Sequence, residues 1–258
     1  MKAIAVHPDA IVVTSRIWQT NATALRAGGE GLLIDSPYFP DELEALPALL
    51  RQAGFEPNAL FATHADYDHL LGRFAFPDLA MGVGDPTMER IRTFPGEAQR
   101  ELREEDARNY VDRASPLALG GIQSLPVPGY VELGDQELEL HPADGHTSDG
   151  TAVLVRFANL LVCGDYLSPV EIPWISNSGS LADYRATLAW LAPLVESVEL
   201  VVPGHGAPQR RDSALRILDE DADYLDALER GDERPALPKG RDTARQREIH
   251  VENLTTLR

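Results

Sequence analysis

The chain has 258 residues, with 23 Lys plus Arg against 41 Asp plus Glu, a net charge of −18 and a single cysteine, Cys163. That length holds one large domain or two small ones, with a core that needs no disulfide or structural metal to fold. The acidic balance speaks against nucleic acid and anionic membranes, which both call for clustered cations, and one cysteine makes neither an internal disulfide nor a multi-cysteine zinc site.

The first six residues carry one lysine and a short apolar run that Pro8 and Asp9 interrupt, which is no secretory leader, and no run approaches the ~20 apolar residues of a membrane span. The expectation is a soluble cytoplasmic protein. Residues 10–18 form a β-branched run, residues 22–27 a second, and 31–35 (Gly-Leu-Leu-Ile-Asp) a buried strand between turn residues. A helix follows from Pro40, with acids in its first turn, leucines at helical spacing, Pro47 as a potential kink and Gly54 as its stop. Residues 59–63 read as a strand running into His64. Residues 77–131 read as an irregular connector with one helix over 97–113. Strands are expected at 137–141, 151–157, 160–163 and 198–202, and helices at 181–194, 213–228 and, less marked, 243–257. Asp219, Glu220, Asp221 and Asp223 read as a solvated helix face.

The two halves echo each other. Residues 32–35 form a strand ending at Asp35, a helix crosses over, and the next strand ends at His64; residues 161–165 form a strand ending at Asp165, a helix crosses over, and the next strand leads to His205. This is a βαβ-like unit used twice. If the two units pair about a pseudo-twofold, Asp165, His205 and His64 converge on one edge, where ligands gather in layered α/β folds.

The densest chemical feature is Thr63-His64-Ala65-Asp66-Tyr67-Asp68-His69, four potential metal ligands within six residues directly after a strand. Imidazoles mixed with carboxylates suit Zn, Fe, Mn or Co. His146, Asp165 and His205 lie beside glycines in Asp144-Gly145-His146, Gly164-Asp165 and Gly204-His205-Gly206, where the backbone can turn sharply.

On these residues the chain resembles the metallo-β-lactamase superfamily over about residues 11–208. The family's first motif, His-x-His-x-Asp-His, stands here as His64-Ala65-Asp66-Tyr67-Asp68-His69; its next histidine matches His146, its bridging aspartate Asp165 and its last histidine His205. The resemblance implies an αββα four-layer sandwich of two similar halves, one domain over 1–258 with a helical C-terminal extension from 209, and two divalent metal ions (Zn, Fe or Mn) at one edge. One metal would be held by His64, Asp66 and His146, the other by Asp68, His69 and His205, with Asp165 bridging. It further implies hydrolysis of a small ester, thioester or lactone by a metal-activated water, with Asp68 as the catalytic residue that orients the water and moves a proton.

Two positions depart from the pattern. Asp66 stands where the hydrolases usually carry His; the di-iron flavoprotein branch carries Glu there, which keeps open a di-iron redox or oxygen-handling alternative. The third motif, often His-Thr-Pro-Gly, is His146-Thr147-Ser148-Asp149-Gly150. Three ligand carboxylates, two divalent ions and a shared hydroxide sum to a neutral cluster, a weak trap for anionic substrates that favours Fe or Mn at least as much as Zn. Cys163 is expected to be a buried, inert thiol. Tyr67, Tyr166, Trp174, Ile175 and Asn177 are candidates for a substrate pocket with small-molecule specificity, His250 is expected to be structural, and His7 and His141 are not expected to be ligands.

Overall fold

A computed structural model describes residues 1–257; Arg258, the last residue of the expected domain, lies outside them. In chain order the elements are β1 (Lys2–His7), β2 (Ala10–Thr14), β3 (Asn21–Ala27), β4 (Glu30–Asp35), α1 (Pro40–Gln52), β5 (Ala59–Ala62), α2 (Gly72–Ala75), β6 (Ala80–Gly84), α3 (Asp85–Thr93), α4 (Glu97–Arg108), β7 (Ile122–Leu125), β8 (Gly129–Leu133), β9 (Gln136–Pro142), β10 (Thr151–Val155), β11 (Leu160–Val162), α5 (Leu181–Ser197), β12 (Leu200–Val202), β13 (Gln209–Arg210), α6 (Arg211–Glu229) and α7 (Ala244–Thr256). Seven strands pair in the order β1-β2-β3-β4-β5-β6-β7 and six in the order β13-β12-β11-β10-β9-β8.

The layering follows from strand periodicity. Successive side chains point to opposite faces, so a continuously apolar strand must be covered on both. Leu32 and Ile34 of β4 join Val153, Val155, Leu160, Val162 and Val202 in a core between the sheets. Leu33, between them, faces the other way onto Leu43, Leu46 and Leu50 of α1. In the second sheet Leu154, Leu161 and Val201 pack on Leu188, Leu191, Ile217 and Leu225 of α5 and α6. Three apolar interfaces therefore separate four layers, helix, sheet, sheet and helix, the expected αββα sandwich.

The repeated βαβ unit is present in both halves. β4 and β5 are parallel and joined by α1; β11 and β12 are parallel and joined by α5. α1 runs through Pro47 to Gln52. Strands also pair outside residues 11–208: β1 pairs with β2, and β13 pairs with β12.

Two sequence expectations are corrected. Residues 77–131 are not a connector with one helix. They contain β6, α3, α4, β7 and part of β8, and β6 and β7 extend the parallel side of the first sheet. Their glycines hid this: Gly82 and Gly84 interrupt the strand pattern of β6, where a Cβ on Gly82 would first meet the end of the Leu125 side chain, at 2.9 Å. The acids of α6 are also not all solvated. Asp221 is 1% exposed and pairs with Arg241, itself buried, while Asp219 and Asp223 are exposed. Sequence spacing showed the stripe of acids but not the single arginine, 20 residues on, that folds back over it.

Removing Asp221 takes from the buried Arg241 its buried carboxylate and leaves it only the partly exposed Glu220. Asp221→Ala should therefore cost about 3–5 kcal/mol of unfolding free energy, and Asp219→Ala less than about 0.5 kcal/mol, measured by urea denaturation. Equal, small effects would contradict the buried pairing.

Candidate metal centre

The site lies where the strand ends of both sheets meet. Backbone bonds cross from one sheet to the other there: Asn21 N–H to Gly204 O (2.7 Å), Gly206 N–H to Gln19 O (3.0 Å) and Thr151 N–H to Thr63 O (2.8 Å). The Asn21 side-chain amide also donates to Pro203 O and Gly206 O. After β5 the chain enters a short 3-10 turn, Tyr67–His69, which returns Asp68 and His69 towards His64. Gly204 makes room on the opposite side: a Cβ there would lie 2.0 Å from Asp165 Oδ1 and 3.0 Å from His69 Cε1. No other residue lets the Asp165 carboxylate enter.

All seven residues expected from the sequence are brought together. Asp165 Oδ2 lies 3.3 Å from His146 Nε2, 3.3 Å from His205 Nε2 and 3.7 Å from His64 Nε2, and its Oδ1 lies 3.2 Å from His69 Nε2. Asp66 Oδ2 is 3.4 Å from His146 Nε2 and 3.7 Å from His64 Nε2. Asp68 Oδ2 is 3.5 Å from His205 Nε2 and 3.8 Å from His69 Nε2. Ligand atoms of His64, Asp66 and His146 form one compact group, those of Asp68, His69 and His205 a second, and Asp165 joins His64 and His69 between them.

The outer ring nitrogens orient the inner ones. His146 Nδ1 faces Trp174 O (2.8 Å), His205 Nδ1 faces Trp18 O (3.2 Å), and His64 Nδ1 lies against Thr63 Oγ1 (3.0 Å). His69 Nδ1 lies 3.1 Å from Asp35 Oδ2, though not aligned for a hydrogen bond. A carbonyl or carboxylate on Nδ1 selects the tautomer whose Nε2 lone pair points inward. The Nε2 atoms of His64, His69 and His146, and Asp165 Oδ1, are buried without a hydrogen-bond partner. Four orphaned donor atoms aimed at one small space are what a bound metal pair requires.

The electrostatics agree. Burial alone would raise the Asp66 and Asp165 carboxyls, but surrounding imidazoles, with Arg90 beside Asp66, hold both well below the ordinary carboxylate range. Burial would likewise discharge the histidines, but Asp165 and its neighbours lift His69 and His146 well above the ordinary imidazole value and His205 to about 10. The carboxylates thus hold positive charge in the cluster, the role two cations fill.

The family's sequence profile, the Metallo-beta-lactamase superfamily, matches residues 16–231. The chain belongs to the metallo-β-lactamase superfamily. Its structure is similar to the metallo-beta-lactamase family protein TTHA1429 from Thermus thermophilus (17% identity, TM-score 0.69, covering 98% of this chain and 93% of that one) and to a metallo-beta-lactamase from Pontibacter korlensis (16%, 0.65, 87% and 98%). It is also similar to TTHA1623 in a di-iron-bound form (23%, 0.61, 80% and 97%). At these identities the likeness establishes the fold.

Against the superfamily's usual first motif, Asp66 is the chain's departure, and the structure supplies its counterpart. Arg90 of α3 donates to Asp66 Oδ1 (2.8 Å) and to Asp149 Oδ1 (2.9 Å), and contacts Glu97 at 3.1 Å. Asp149 Oδ2 in turn accepts from Ala65 N–H. One Asp66 oxygen is thereby fixed to a cation while the other faces His64 and His146. Sequence reading missed Arg90 and Asp149; the Asp149 that spoils the His-Thr-Pro-Gly pattern was the only signal. Asp35 was seen as a strand end but not as the anchor of Thr63 N–H (2.8 Å) and Oγ1 (3.0 Å).

A second missed group comes from the C-terminus. Gln246 Oε1 accepts from Ile172 N–H, Asn253 Oδ1 accepts from Ile175 N–H, and Asn253 Nδ2 donates to Pro173 O; Arg241 donates to Glu171 O. Together they hold the segment 171–175 whose Trp174 carbonyl orients His146. His250 lies in this clasp, its Nδ1 3.0 Å from Tyr224 OH, so its expected structural role matches its position. Tyr67, Trp174, Ile175 and Asn177 do line the cavity over the site, whereas Tyr166 is buried behind it, donating to Asp144 O. Cys163 is buried, its thiol pushed up by burial and directed at Tyr166 O. His7 and His141 pair with Asp9 and Glu139, away from the centre.

Loss of groups that orient ligands typically lowers metal affinity by about 10–100-fold. Arg90→Met, which frees Asp66 Oδ1, should weaken one of two metal equivalents by that order in competition with a chromophoric chelator. Asn253→Ala should weaken metal binding by about tenfold in the same titration, although it touches no ligand. Unchanged affinity in both variants would show that these contacts do not position the centre.

Proposed function

We propose that this protein is a dinuclear metal-dependent hydrolase acting on a small ester, thioester or lactone-type substrate. The observation that carries this reading is the convergence of four imidazole Nε2 atoms and three carboxylates, from both sheets, into two three-residue groups around Asp165. His64, Asp66 and His146 would hold one ion, Asp68, His69 and His205 the other, and Asp165 would serve both. When bound, such ions lower the pKa of water and polarise a carbonyl oxygen.

The chain's own residues do the rest. Asp68 lies at the cavity face beside His69 and His205; in this reading it would orient the attacking water and carry its proton to the leaving group. Ser36 Oγ donates to the Asp68 carbonyl and fixes that turn. The cavity of about 870 Å³ admits a small molecule, with Trp18, Tyr67 and Trp174 as apolar walls.

A di-iron redox or oxygen-handling role is the second reading. It is favoured by the third carboxylate, Asp66, which suits harder metals, and by the likeness to TTHA1623, solved in a di-iron-bound form. On the same ground iron or manganese is preferred at least as much as zinc.

Metal analysis of protein grown without supplements, followed by assay on generic esters, thioesters and lactones and by oxygen-uptake measurement, separates the two. Hydrolysis without oxygen uptake supports the first reading; oxygen uptake with no hydrolysis supports the second. Zinc alone, at two per chain, would remove the preference for iron or manganese. His205→Ala and Asp165→Ala should each lose bound metal and nearly all activity, and full activity in either would refute the site.

A further inference from the structure

Two tryptophans, one from each half of the chain, are built alike around the candidate metal centre. Each turns its backbone carbonyl onto the outer ring nitrogen of a candidate ligand: Trp174 O lies 2.8 Å from His146 Nδ1, and Trp18 O lies 3.2 Å from His205 Nδ1. Each also lines the cavity with a half-buried indole. The Trp174 ring lies 5.3 Å from the His146 ring, and Asn253 grips Pro173 O and Ile175 N–H on either side of it in the chain. The Trp18 ring meets Tyr38 at 5.0 Å and Tyr67 at 6.3 Å, edge to face in both cases. Both indoles are thus positioned in advance of any ligand, one beside each three-residue group.

Local turn energetics do not account for Trp18. With Gln19 it forms the tip of the β2–β3 hairpin, where Thr20 N–H returns to Ile17 O (3.3 Å). Both tip residues are left-handed, at φ 48° and 54°. A hairpin turn of that hand suits Asn-Gly, and a tryptophan there strains the backbone. The strained conformation is what puts the carbonyl on His205 and the ring in the cavity.

Among the described residues neither indole N–H has a hydrogen-bond partner, and neither nitrogen is sealed from solvent. The Tyr67 hydroxyl beside Trp18 is likewise without a partner. The third tryptophan, Trp190, packs on His141 away from the cavity. Indole N–H and phenol O–H groups that become covered take an acceptor with them, and a substrate lacking one strips them of water without replacing it. The arginines of the lining, Arg90, Arg108 and Arg245, are each paired with carboxylates of the chain. The donors left over are therefore uncharged, and they match an uncharged acceptor.

We infer that Trp18 and Trp174 are a pair of specificity-determining donors, and that the substrate carries uncharged acceptor oxygens, of amide, ester or ether type, on the two sides of its scissile bond, one for each indole N–H. This rests on the reading of the cavity as the substrate site of a metal-dependent hydrolase.

Two measurements on the zinc-loaded protein test it. In the first, N-butylacetamide, an uncharged amide, is titrated while the indole N–H resonances of the three tryptophans are followed by proton–nitrogen correlation NMR, assigned through Trp18→Phe and Trp174→Phe. The Trp18 and Trp174 protons should move downfield as they take up the amide carbonyl, and the Trp190 proton should stay. In the second, kcat/KM is compared for the p-nitrophenyl esters of γ-acetamidobutyrate and heptanoate, matched in length. The amide ester should be favoured about tenfold, mainly in KM, and Trp18→Phe/Trp174→Phe should bring the two within about twofold. The double variant keeps both backbone carbonyls and should retain its zinc, which separates a lost donor from a lost metal centre. An unmoved proton at either Trp18 or Trp174 up to about 50 mM amide, a shift shared by Trp190, or a preference that the double variant retains would overturn the inference. Hydrolysis of both esters without preference would overturn it and leave the hydrolase reading standing; shifts at both indoles with no ester hydrolysis would do the reverse.

Discussion

The Asp165 carboxylate is the constraint on which the rest of the structure depends. It is buried and lies within 3.7 Å of four imidazoles. A carboxylate so placed is tolerable only if positive charge surrounds it. The four histidines that supply the contacts come from three separate strand-end loops, and those loops are fixed by the sandwich. The cross-sheet backbone bonds at Asn21, Thr151 and Gly206, and the absence of a Cβ at Gly204, serve this one juxtaposition. The apolar layers set the sheet spacing; the strand ends turn that spacing into a site.

Asp66 shows how a departure from a motif can be absorbed. Replacing an imidazole with a carboxylate adds a negative charge to an already acidic centre. Arg90 sits on the far oxygen and returns a positive charge, and Asp149 holds Arg90 and the Ala65 N–H together. Arg90, shared with Asp149 and Glu97, offsets part of the charge of Asp66, while the inner Asp66 oxygen is a harder donor than an imidazole. Both departures from the family pattern meet at Arg90, which bonds Asp66 of the first motif and Asp149 of the third.

The candidate ligands and the fold were legible because both are written locally. Each ligand lies next to a strand end, and strand faces alternate with a period of two, so Leu32, Leu33 and Ile34 already assign themselves to opposite layers. The contacts that were not legible join residues far apart without a shared pattern. Arg90 reaches 24 residues back and 59 forward; Asn253 reaches back about 80; Asp221 looks like its solvated neighbours until Arg241 covers it. β6 was hidden by glycines that interrupt its strand pattern. Periodicity reveals faces, and it is silent on which distant charge meets which.

The net charge of −18 acquires a location from the structure. Asp66, Asp68 and Asp165 face the candidate metal centre, and many of the other acids are paired with arginines, as Asp41 is with Arg16, Asp149 with Arg90, Asp106 with Arg113 and Asp221 with Arg241. The lining of the cavity over the candidate metal centre holds a further set, Glu101, Glu104 and Glu171, whose side chains make no hydrogen bond or ion pair among the described residues. Such a field does not depend on the distant surface, because low-dielectric walls focus it and salt screens the rest. Part of the acidity read from composition therefore lies over the candidate metal centre and not on the distant surface.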